Sequence, residues 1–266
     1  MYDSFKRKIT YLRVSVTDRC NLRCTYCMPE CGITPLPHSE VLTFEEIAEV
    51  VRYAVSQGVN KVRITGGEPL VRRNIVELVK MLAAIPGLRE LAMTTNGVFL
   101  NRFAHDLKSA GLQRVNISLD SVDPGRFRQI TRVGHLEDVF RGIAAARKAG
   151  LEPIKINCVI NKSPDEPDAK AVKEFCRQEG LQLRFIKEMN LETGQFSQVI
   201  GGDGGRCASC NRMRLTANGD LKPCLFSDLA YNVRTFGIEK AFEAALNNKP
   251  ACGSVNHKNQ FNNIGG

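Results

Sequence analysis

Several features are scarce or missing in this sequence, and each absence excludes a class of protein. None of its 266 residues is Trp, and its four His show no paired spacing that would indicate a metal site. No run of about 18 apolar residues exists, so the sequence predicts no membrane span. The first ten residues lack the apolar core of a signal peptide, so we expect the protein to remain in the cytoplasm.

The composition is that of a globular protein, with 43% hydrophobic and 24% charged residues. The net charge of +9 suits an anionic partner, but it is equally typical of a solvated surface. Cysteine is abundant, with ten residues. In a chain expected in a reducing compartment, these thiols are better interpreted as metal ligands or catalytic groups than as disulfides.

Short apolar segments alternate with amphipathic ones between residues 11 and 188. The short segments are rich in Val, Ile and Leu, which predicts strands. They are Tyr11–Val16, Lys61–Thr65, Glu90–Thr94, Arg114–Leu119, Pro153–Val159 and Gln182–Ile186. The amphipathic segments predict helices, most of them ending immediately before a Gly, a common C-cap residue. They are Thr43–Gln57, Asn74–Ala84, Arg102–Ala110, Leu136–Ala149 and Asp168–Glu179.

These strand–helix units predict an α/β fold with a parallel sheet and helices outside it. Since a closed barrel needs eight units, we expect a partial, open TIM-type (βα)6 barrel over residues 1–189, with functional groups at the carboxyl ends of the strands. Residues 190–266 are expected to form a linker and a small C-terminal extension. Within it, Asp220–Pro223 predicts a turn and Gly237–Asn247 predicts a helix.

The first cysteine group directly follows the first predicted strand. Cys20, Cys24 and Cys27 have the spacing C-x3-C-x2-C. Three thiolates on one loop complete a tetrahedral zinc site only with a fourth ligand, for which Cys31 is a candidate. They also suit three corners of a [4Fe–4S] cluster, whose remaining iron is then free for a ligand from outside the protein.

The second cysteine group lies beyond the linker. Cys207, Cys210 and Cys224 have the spacing C-x2-C-x13-C. With Cys252 or His257 as fourth ligand this is a zinc site, and without one it is a second [4Fe–4S] cluster with an open iron. The spacing alone leaves both interpretations open. The other cysteines belong to no motif: Cys31, Cys158, Cys176 and Cys252.

The sequence YLRVSVTDRCNLRCTYCMP around the first group resembles the radical S-adenosylmethionine (SAM) superfamily. In that superfamily the free iron binds the amino and carboxylate groups of SAM. Segments at the ends of the next three predicted strands match as well: TGGEP at 65–69, TTNG at 94–97 and SLD at 118–120. The resemblance implies a radical SAM barrel in which SAM is held by Tyr26, Gly66, Gly67, Glu68, Thr94, Ser118 and Met189.

The second cysteine group lies in CNRMRLTANGDLKPCLF, residues 210–226, which closely resembles the C-terminal cluster motif of the GTP 3′,8-cyclase family. That family carries out the first step of molybdenum cofactor biosynthesis. The pair Gly265-Gly266 matches it too. The resemblance implies SAM and two [4Fe–4S] clusters as cofactors, with the metal ligands Cys20, Cys24, Cys27, Cys207, Cys210 and Cys224.

The same resemblance assigns basic side chains to GTP. A triphosphate needs charge-assisted hydrogen bonds, which Arg supplies best. A buried cation on an inward-facing strand position needs an anion to compensate it. Lys61 and Arg63 are two residues apart and so share one face of a strand. The implied substrate-binding residues are Arg13, Lys61, Arg63, Lys155, Arg184, Arg212 and Arg214, and the last two also receive a catalytic role.

The resemblance fails at residues 190–206, where family members carry a segment longer by a few dozen residues. We therefore expect a short GTP 3′,8-cyclase, a lyase, or alternatively a radical SAM enzyme acting on another nucleotide or a peptide. A third hypothesis is a cluster-bearing binding or electron-transfer protein without SAM chemistry, against which the intact TGGEP segment argues. The implied partners are a small-molecule substrate and an electron donor such as flavodoxin or ferredoxin, with no DNA, RNA or membrane. Homodimers are common in the family.

Overall fold

The computed structural model describes residues 1–189 and 197–257 of the chain. The predicted alternation of strands and helices is confirmed. The parallel strands are β1 Tyr11–Ser15, β2 Lys61–Thr65, β3 Glu90–Thr95, β4 Arg114–Ser118, β5 Lys155–Ile160 and β6 Gln182–Lys187. The helices between them are α1 Phe44–Ser56, α2 Ile75–Ala83, α3 Leu100–Ser109, α4 Pro124–Thr131, α5 Leu136–Lys148 and α6 Pro167–Gln178.

The C-terminal extension continues the sheet of the barrel. It contributes β7 Arg212–Leu215, β8 Asp220–Lys222, β9 Tyr231–Asn232, α7 Val233–Phe236 and α8 Ile238–Asn247. The strand order is β6-β5-β4-β3-β2-β1-β7-β8-β9, with β7 parallel to β1 and the last two pairings antiparallel. Within the described residues β6 and β9 are the two edges, so the barrel is open, as predicted.

The turn predicted at Asp220–Pro223 is wrong, because most of that segment is strand β8. The reversal comes earlier, where the Thr216 carbonyl accepts from the backbone N–H of Gly219 at 3.1 Å. Gly219 has a φ of +92°, a left-handed conformation that favours glycine. The turn is therefore made by the TANG sequence, and the residues after it pair with β7.

The strands alternate between an apolar face and a polar face. Leu12, Val62 and Ile64 are buried and belong to the main hydrophobic core, together with the inward side of α1. Residues one position away along the same strands, such as Arg13 and Arg63, point to the opposite side of the sheet. The helices thus cover one face, and the other face is left for polar side chains. None of the described helices is both long enough and apolar enough to cross a bilayer.

Candidate active site

The first cysteine loop follows β1 and is held by α4, a helix that the sequence analysis missed. Thr25 donates its backbone N–H to the carbonyl of Ile130 at 3.0 Å, and Arg23 donates to Thr131 at 3.1 Å. Arg132, the residue that directly follows α4, donates from its guanidinium to the carbonyl of Arg23 at 2.7 Å. These bonds fix the backbone of the loop, so its cysteines are presented in a set arrangement.

The three thiols of this loop influence one another. Burial is the main reason that the pKa of Cys20 is raised to about 11 and that of Cys24 to about 12, and burial also raises the pKa of Cys27. The charge of Cys27 contributes to the raised pKa of both other thiols, so the three sulfur atoms lie near each other. Such thiols stay protonated until a metal displaces the proton.

Tyr26, between the last two cysteines, is fixed by a buried carboxylate. Its hydroxyl donates to Oδ2 of Asp120 at 2.7 Å, and the N–H of Val159 donates to Oδ1 of Asp120, also at 2.7 Å. Burial raises the pKa of Asp120 to about 6 although both bonds act to lower it. The pair connects the cysteine loop to the ends of β4 and β5. Contact of Tyr26 with SAM stays a prediction.

The glycines after β2 bring two backbones together. Gly67 donates its N–H to the carbonyl of Thr17 at 2.7 Å, and a Cβ at Gly67 would collide with the carbonyl oxygen of Arg19. A Cβ at Gly66 would lie 2.7 Å from the Thr17 oxygen. The backbone that approaches these glycines so closely is the loop that leads to Cys20. Their contact with SAM stays a prediction.

Both carboxylate oxygens of Glu68 are engaged by the protein. Oε1 accepts from the Thr95 hydroxyl at 2.8 Å and the Leu70 N–H at 3.0 Å, and Oε2 accepts from the Asn96 N–H at 2.6 Å. The side-chain amide of Asn96 in turn donates to Oδ1 of Asn21 at 2.8 Å. Glu68 therefore ties the TGGEP and TTNG segments together. Burial raises its pKa to about 7 against these bonds.

We expect the stability difference between Glu68→Gln and the parent protein to depend on pH. Because the native state raises the Glu68 pKa from 4.5 to about 7, the native protein binds this proton more tightly than the unfolded chain. The parent therefore loses unfolding free energy as pH rises from 4.5 to 7, and Gln does not titrate. Between pH 4.5 and 7, the unfolding free energy of the variant should therefore rise by about 3 kcal/mol relative to that of the parent.

Urea unfolding of the cluster-loaded proteins at several pH values, followed by circular dichroism, measures this shift. Glu77→Gln, at an exposed position of α2, is the matched control and should follow the parent at every pH. A difference between Glu68→Gln and the parent that stays constant with pH would contradict the expectation.

Two rows of side chains cross the open face of the sheet. In the first row, Arg214, Arg13 and Arg63 lie side by side on β7, β1 and β2. The second row is one pleat closer to the amino ends of these strands and consists of Arg212, Tyr11 and Lys61. On β5 and β6, Lys155 and Arg184 belong to the same electrostatic environment, since the pKa of Lys155 is lowered first by burial and then by charges that include those of Arg184 and Arg63. The structure thus brings all seven predicted cations to one face.

Tyr11 lies at the centre of this face. The guanidinium groups of Arg63 and Arg212 lie 5.9 and 5.6 Å from the centre of its ring, and Nζ of Lys61 lies 5.0 Å from it. Nε of Arg63 donates to the Tyr11 hydroxyl at 2.5 Å. Burial alone would raise the Tyr11 pKa, but the charges of Arg63 and Arg13 and this bond lower it to about 8. The face therefore favours negative charge strongly enough to promote ionisation of a phenol.

Burial and mutual repulsion lower the pKa of several of these cations. For Arg13 the shift comes first from burial and next from the charge of Arg214, and for Arg184 from burial and then Arg63. Lys61 has an acidic partner, because Oε2 of Glu90 lies 3.1 Å from its Nζ. The same glutamate pairs with Arg114, a cation on this face that sequence reasoning missed. Its position four residues before Ser118, on the same face of β4, was the available signal.

The second cysteine group lies at the other end of the sheet from the first. Cys207 and Cys210 precede β7, and Cys224 follows β8, which runs antiparallel to β7. Both positions are at the amino ends of β7 and β1, whereas the first cysteine loop is at the carboxyl end of β1. A five-residue strand spans about 16 Å. The expectation that all functional groups meet at the carboxyl ends is therefore wrong for this group, and the cation rows lie between the two.

Positive charge surrounds the second group. Burial would raise the pKa of Cys210, but the charge of Lys249, the N–H of Arg212 and the charges of Arg212 and Arg7 lower it. Lys249 is only 3% exposed. Met189, which resemblance assigns to SAM, instead packs in a small apolar cluster with Leu225 and Phe226. That SAM contact stays a prediction.

Both cysteine groups fit iron–sulfur clusters. Each supplies three thiols whose sulfurs affect one another, and each offers N–H donors to sulfur, such as Leu22 to Cys20 at 3.4 Å and Arg212 to Cys210. Hydrogen bonds of this kind are typical of protein-bound clusters. Within the described part of the chain, the thiols of neither group, as the structure places them, surround a position for a single metal ion.

Comparison with known proteins places the chain in a superfamily. The sequence profile of the radical SAM superfamily matches residues 14–176, so the chain belongs to it. A GTP 3′,8-cyclase of Thermodesulfovibrio yellowstonii is 42% identical, over 88% of this chain and 87% of that protein. Another, from Petrotoga mobilis, is 41% identical over 98% of this chain and 97% of that protein. Within the superfamily, the chain is a member of the GTP 3′,8-cyclase family.

The family uses SAM and [4Fe–4S] clusters as cofactors, and this chain does as well. The alignment with the Petrotoga mobilis protein extends over 313 positions although this chain has 266 residues. Several dozen positions of that relative therefore have no counterpart here, in agreement with the expectation of a short family member. We assigned this difference in length to residues 190–206. The structure does not describe residues 190–196 of that segment, nor the pair Gly265-Gly266.

Solved structures with low sequence identity share the fold. Streptococcus suis SuiB bound to its precursor peptide SuiA superimposes with a TM-score of 0.68 at 15% identity, over 92% of this chain and 66% of that one. The anSMEcpe structure with bound AdoMet gives a TM-score of 0.64 at 16% identity, over 88% of this chain and 77% of that one. These similarities support the open radical SAM barrel.

Proposed function

We propose that this protein is a GTP 3′,8-cyclase, a lyase that rearranges GTP to 3′,8-cyclo-7,8-dihydro-GTP in molybdenum cofactor biosynthesis. The observation that carries the proposal is the pair of side-chain rows on β7, β1 and β2. They concentrate buried positive charge between the two cysteine groups. A nucleoside triphosphate supplies the negative charge that such a face requires, and it is long enough to extend toward both groups.

The cysteines and strand ends would hold the cofactors. Cys20, Cys24 and Cys27 would bind the first cluster, and Gly66, Gly67, Thr94 and Ser118 at the neighbouring strand ends would contact SAM. The second cluster would be bound by Cys207, Cys210 and Cys224. When bound, the first cluster and SAM together supply a 5′-deoxyadenosyl radical that removes a hydrogen atom from the substrate sugar.

The cationic side chains would bind the triphosphate and the base. Arg63 illustrates how the fold prepares them, since its guanidinium donates to the hydroxyl oxygens of Tyr11 and, at 3.4 Å, Thr94, and neither is a carboxylate. These bonds orient the guanidinium without engaging it in a salt bridge to a carboxylate, so it can also bind a phosphate. A bound anion would also reverse the lowered pKa of Arg13 and Arg184, because it compensates the charges that burial and repulsion disfavour.

The partners of the enzyme follow from the same proposal. A flavodoxin or ferredoxin is the proposed electron donor, since the first cluster must be reduced in each cycle. We further propose that the enzyme acts in the cytoplasm, where GTP is available, and that it forms the homodimer common in the family. Light scattering on the purified protein tests the dimer, and reduction of the clusters by a purified flavodoxin tests the donor.

The function is tested by reconstituting both clusters without oxygen and adding SAM, a reductant and GTP. We expect 5′-deoxyadenosine and a cyclised nucleotide in equal amounts, measured by liquid chromatography and mass spectrometry. SAM cleavage without a GTP-derived product would overturn GTP as the substrate and leave another nucleotide or a peptide. No SAM cleavage at all would overturn the enzyme assignment in favour of an electron-transfer protein.

A further inference from the structure

A fourth cysteine lies against the second cysteine group. Sγ of Cys252 is 3.3 Å from Sγ of Cys207. The next residue, Gly253, donates its backbone N–H to the Cys207 sulfur. A Cβ added at Gly253 would lie 3.3 Å from Sγ of Cys224. The chain at Cys252 and Gly253 therefore contacts the sulfurs of both the first and the last cysteine of the group, although the sequence analysis had assigned Cys252 to no motif.

The chain leading into Cys252 is anchored by buried cations. Nζ of Lys249 donates to the carbonyl of Arg212 at 2.9 Å and also to the carbonyl of Pro223. The Arg7 guanidinium donates to the carbonyl of Pro250 at 2.7 Å. These acceptors lie within two residues of the cysteine ligands or of Cys252 itself. The approach of this segment to the second group is thus fixed by side chains that are largely removed from solvent.

The chain leaving Cys252 is anchored as well. Ser254 donates its N–H to the carbonyl of Phe226 at 2.9 Å, and the side-chain amide of Asn256 donates to the carbonyl of Leu225 at 2.8 Å. Both acceptors directly follow Cys224. His257, the other candidate ligand in this segment, is turned to Asp228, with 3.1 Å between Nδ1 and Oδ2. Of the two candidate fourth ligands, Cys252 and His257, it is therefore Cys252 whose side chain lies against the second cysteine group.

We propose that Cys252 is an exchangeable fourth ligand of the second cluster, bound as thiolate to the iron that Cys207, Cys210 and Cys224 leave free, and replaced there by the substrate. The proposal rests on the proposed function, which supplies the cluster and the substrate. The exchange breaks one Fe–S bond and forms one bond from iron to the substrate; the released thiolate takes up a proton, and no electron is transferred.

The surroundings of Cys252 suit an exchangeable ligand. Residues 251–256 form neither helix nor strand, and Cys252 itself is exposed. Its thiol can therefore move away from Cys207 toward a cluster, and away from the cluster when a substrate arrives, without breaking a regular element. Soft thiolates bind iron–sulfur clusters well. A cysteine at this place would protect the open iron while no substrate is bound.

The test uses the full chain with Cys20, Cys24 and Cys27 replaced by Ala, so that only the second cluster is present. After anaerobic reconstitution, ferricyanide oxidation converts clusters with a labile iron to [3Fe–4S], which electron paramagnetic resonance detects. We expect this conversion to be about tenfold or more faster when Cys252→Ala is added. Cys31→Ala, which removes another exposed thiol, is the matched control and should change nothing.

Three results would count against the proposal, and they are distinguishable. Equal conversion rates with and without Cys252, at about four irons per chain, would overturn the Cys252 ligand and leave the second cluster intact. A chain without iron would overturn the second cluster itself. A Cys207–Cys252 disulfide in the cluster-loaded protein, found by peptide mass mapping, would show that the two thiols pair with each other instead of with iron.

The exchange has its own readout. With saturating GTP, the resonance spectra of the reduced second cluster should become the same with and without Cys252→Ala, because the substrate then occupies the same iron in both proteins. Spectra that differ before GTP is added and converge afterwards support displacement of the thiolate. Spectra that remain different with GTP would overturn displacement.

Discussion

The Cys24→Ala variant is expected to form no detectable 5′-deoxyadenosine and to contain about four iron atoms per chain in place of about eight. Cys24 is the central cysteine of the loop after β1, and its thiol interacts with those of Cys20 and Cys27. A cluster bound by two thiolates at that place would be lost or labile. Iron analysis and chromatography of the SAM cleavage products after reconstitution measure both effects.

Cys31→Ala is the control for this variant. Cys31 lies in the same part of the chain and is exposed, and its Sγ donates to the carbonyl of Gly32 at 3.6 Å. We expect its removal to leave the iron content and SAM cleavage unchanged. If Cys31→Ala lost the first cluster as Cys24→Ala does, Cys31 would have to be added to its ligands. If Cys24→Ala kept all its iron, the cluster would be misplaced.

Arg212→Ala is expected to weaken GTP binding by about 10- to 100-fold while SAM affinity stays near that of the parent. Nε of Arg212 is buried and has no hydrogen-bond partner within the described residues. Its guanidinium lies over Tyr11, among the cations of the second row. A charge-assisted hydrogen bond to a substrate is worth about 1.5–3 kcal/mol, which gives this range. Calorimetric titration with GTP and with SAM separates the two affinities.

The substitution leaves the local backbone contacts in place, because Lys249 bonds the carbonyl of Arg212 and Cys210 accepts from its N–H. Arg52→Ala, at an exposed position of α1, lowers the net charge equally and controls for long-range attraction. Arg212→Lys should recover part of the affinity, since it restores the charge without the guanidinium geometry. If Arg52→Ala lost as much GTP affinity as Arg212→Ala, the effect would come from net charge alone, and the assignment of Arg212 to the substrate would be wrong.

Much of the barrel could be predicted because local signals agreed with the fold. Strand β2 was predicted with its observed bounds, and Gly58, Gly111, Gly150 and Gly180 have the positive φ expected after a helix. Helix α4 was missed because it is short and polar, although Asp123 caps it and Pro124 starts it. Strand β8 was missed because Asp220 and the Pro223 that follows the strand were interpreted as turn residues.

The residue types of the site could be predicted from sequence motifs, but their arrangement in space could not. The cysteine groups and the seven cations are visible in the sequence, but their arrangement depends on which strands become neighbours. The contribution of Arg114 depends on its place across β3, and that of Asp120 on a phenol 94 residues away. Cys252 is 45 residues from Cys207 and meets it only because the chain returns after α8. Such contacts have no local signal.

The pairing of β7 with β1 means that the extension is not a removable module. Without residues 212–215, β1 would become an edge strand with unpaired backbone groups and with Arg13 beside no neighbour on that side. Exposed edges of this kind promote association between chains. A fragment ending at residue 189 should therefore be poorly soluble. Because neither part of the sheet is complete by itself, we expect deletion of the extension to disrupt the barrel half of the site as well as the second cysteine group.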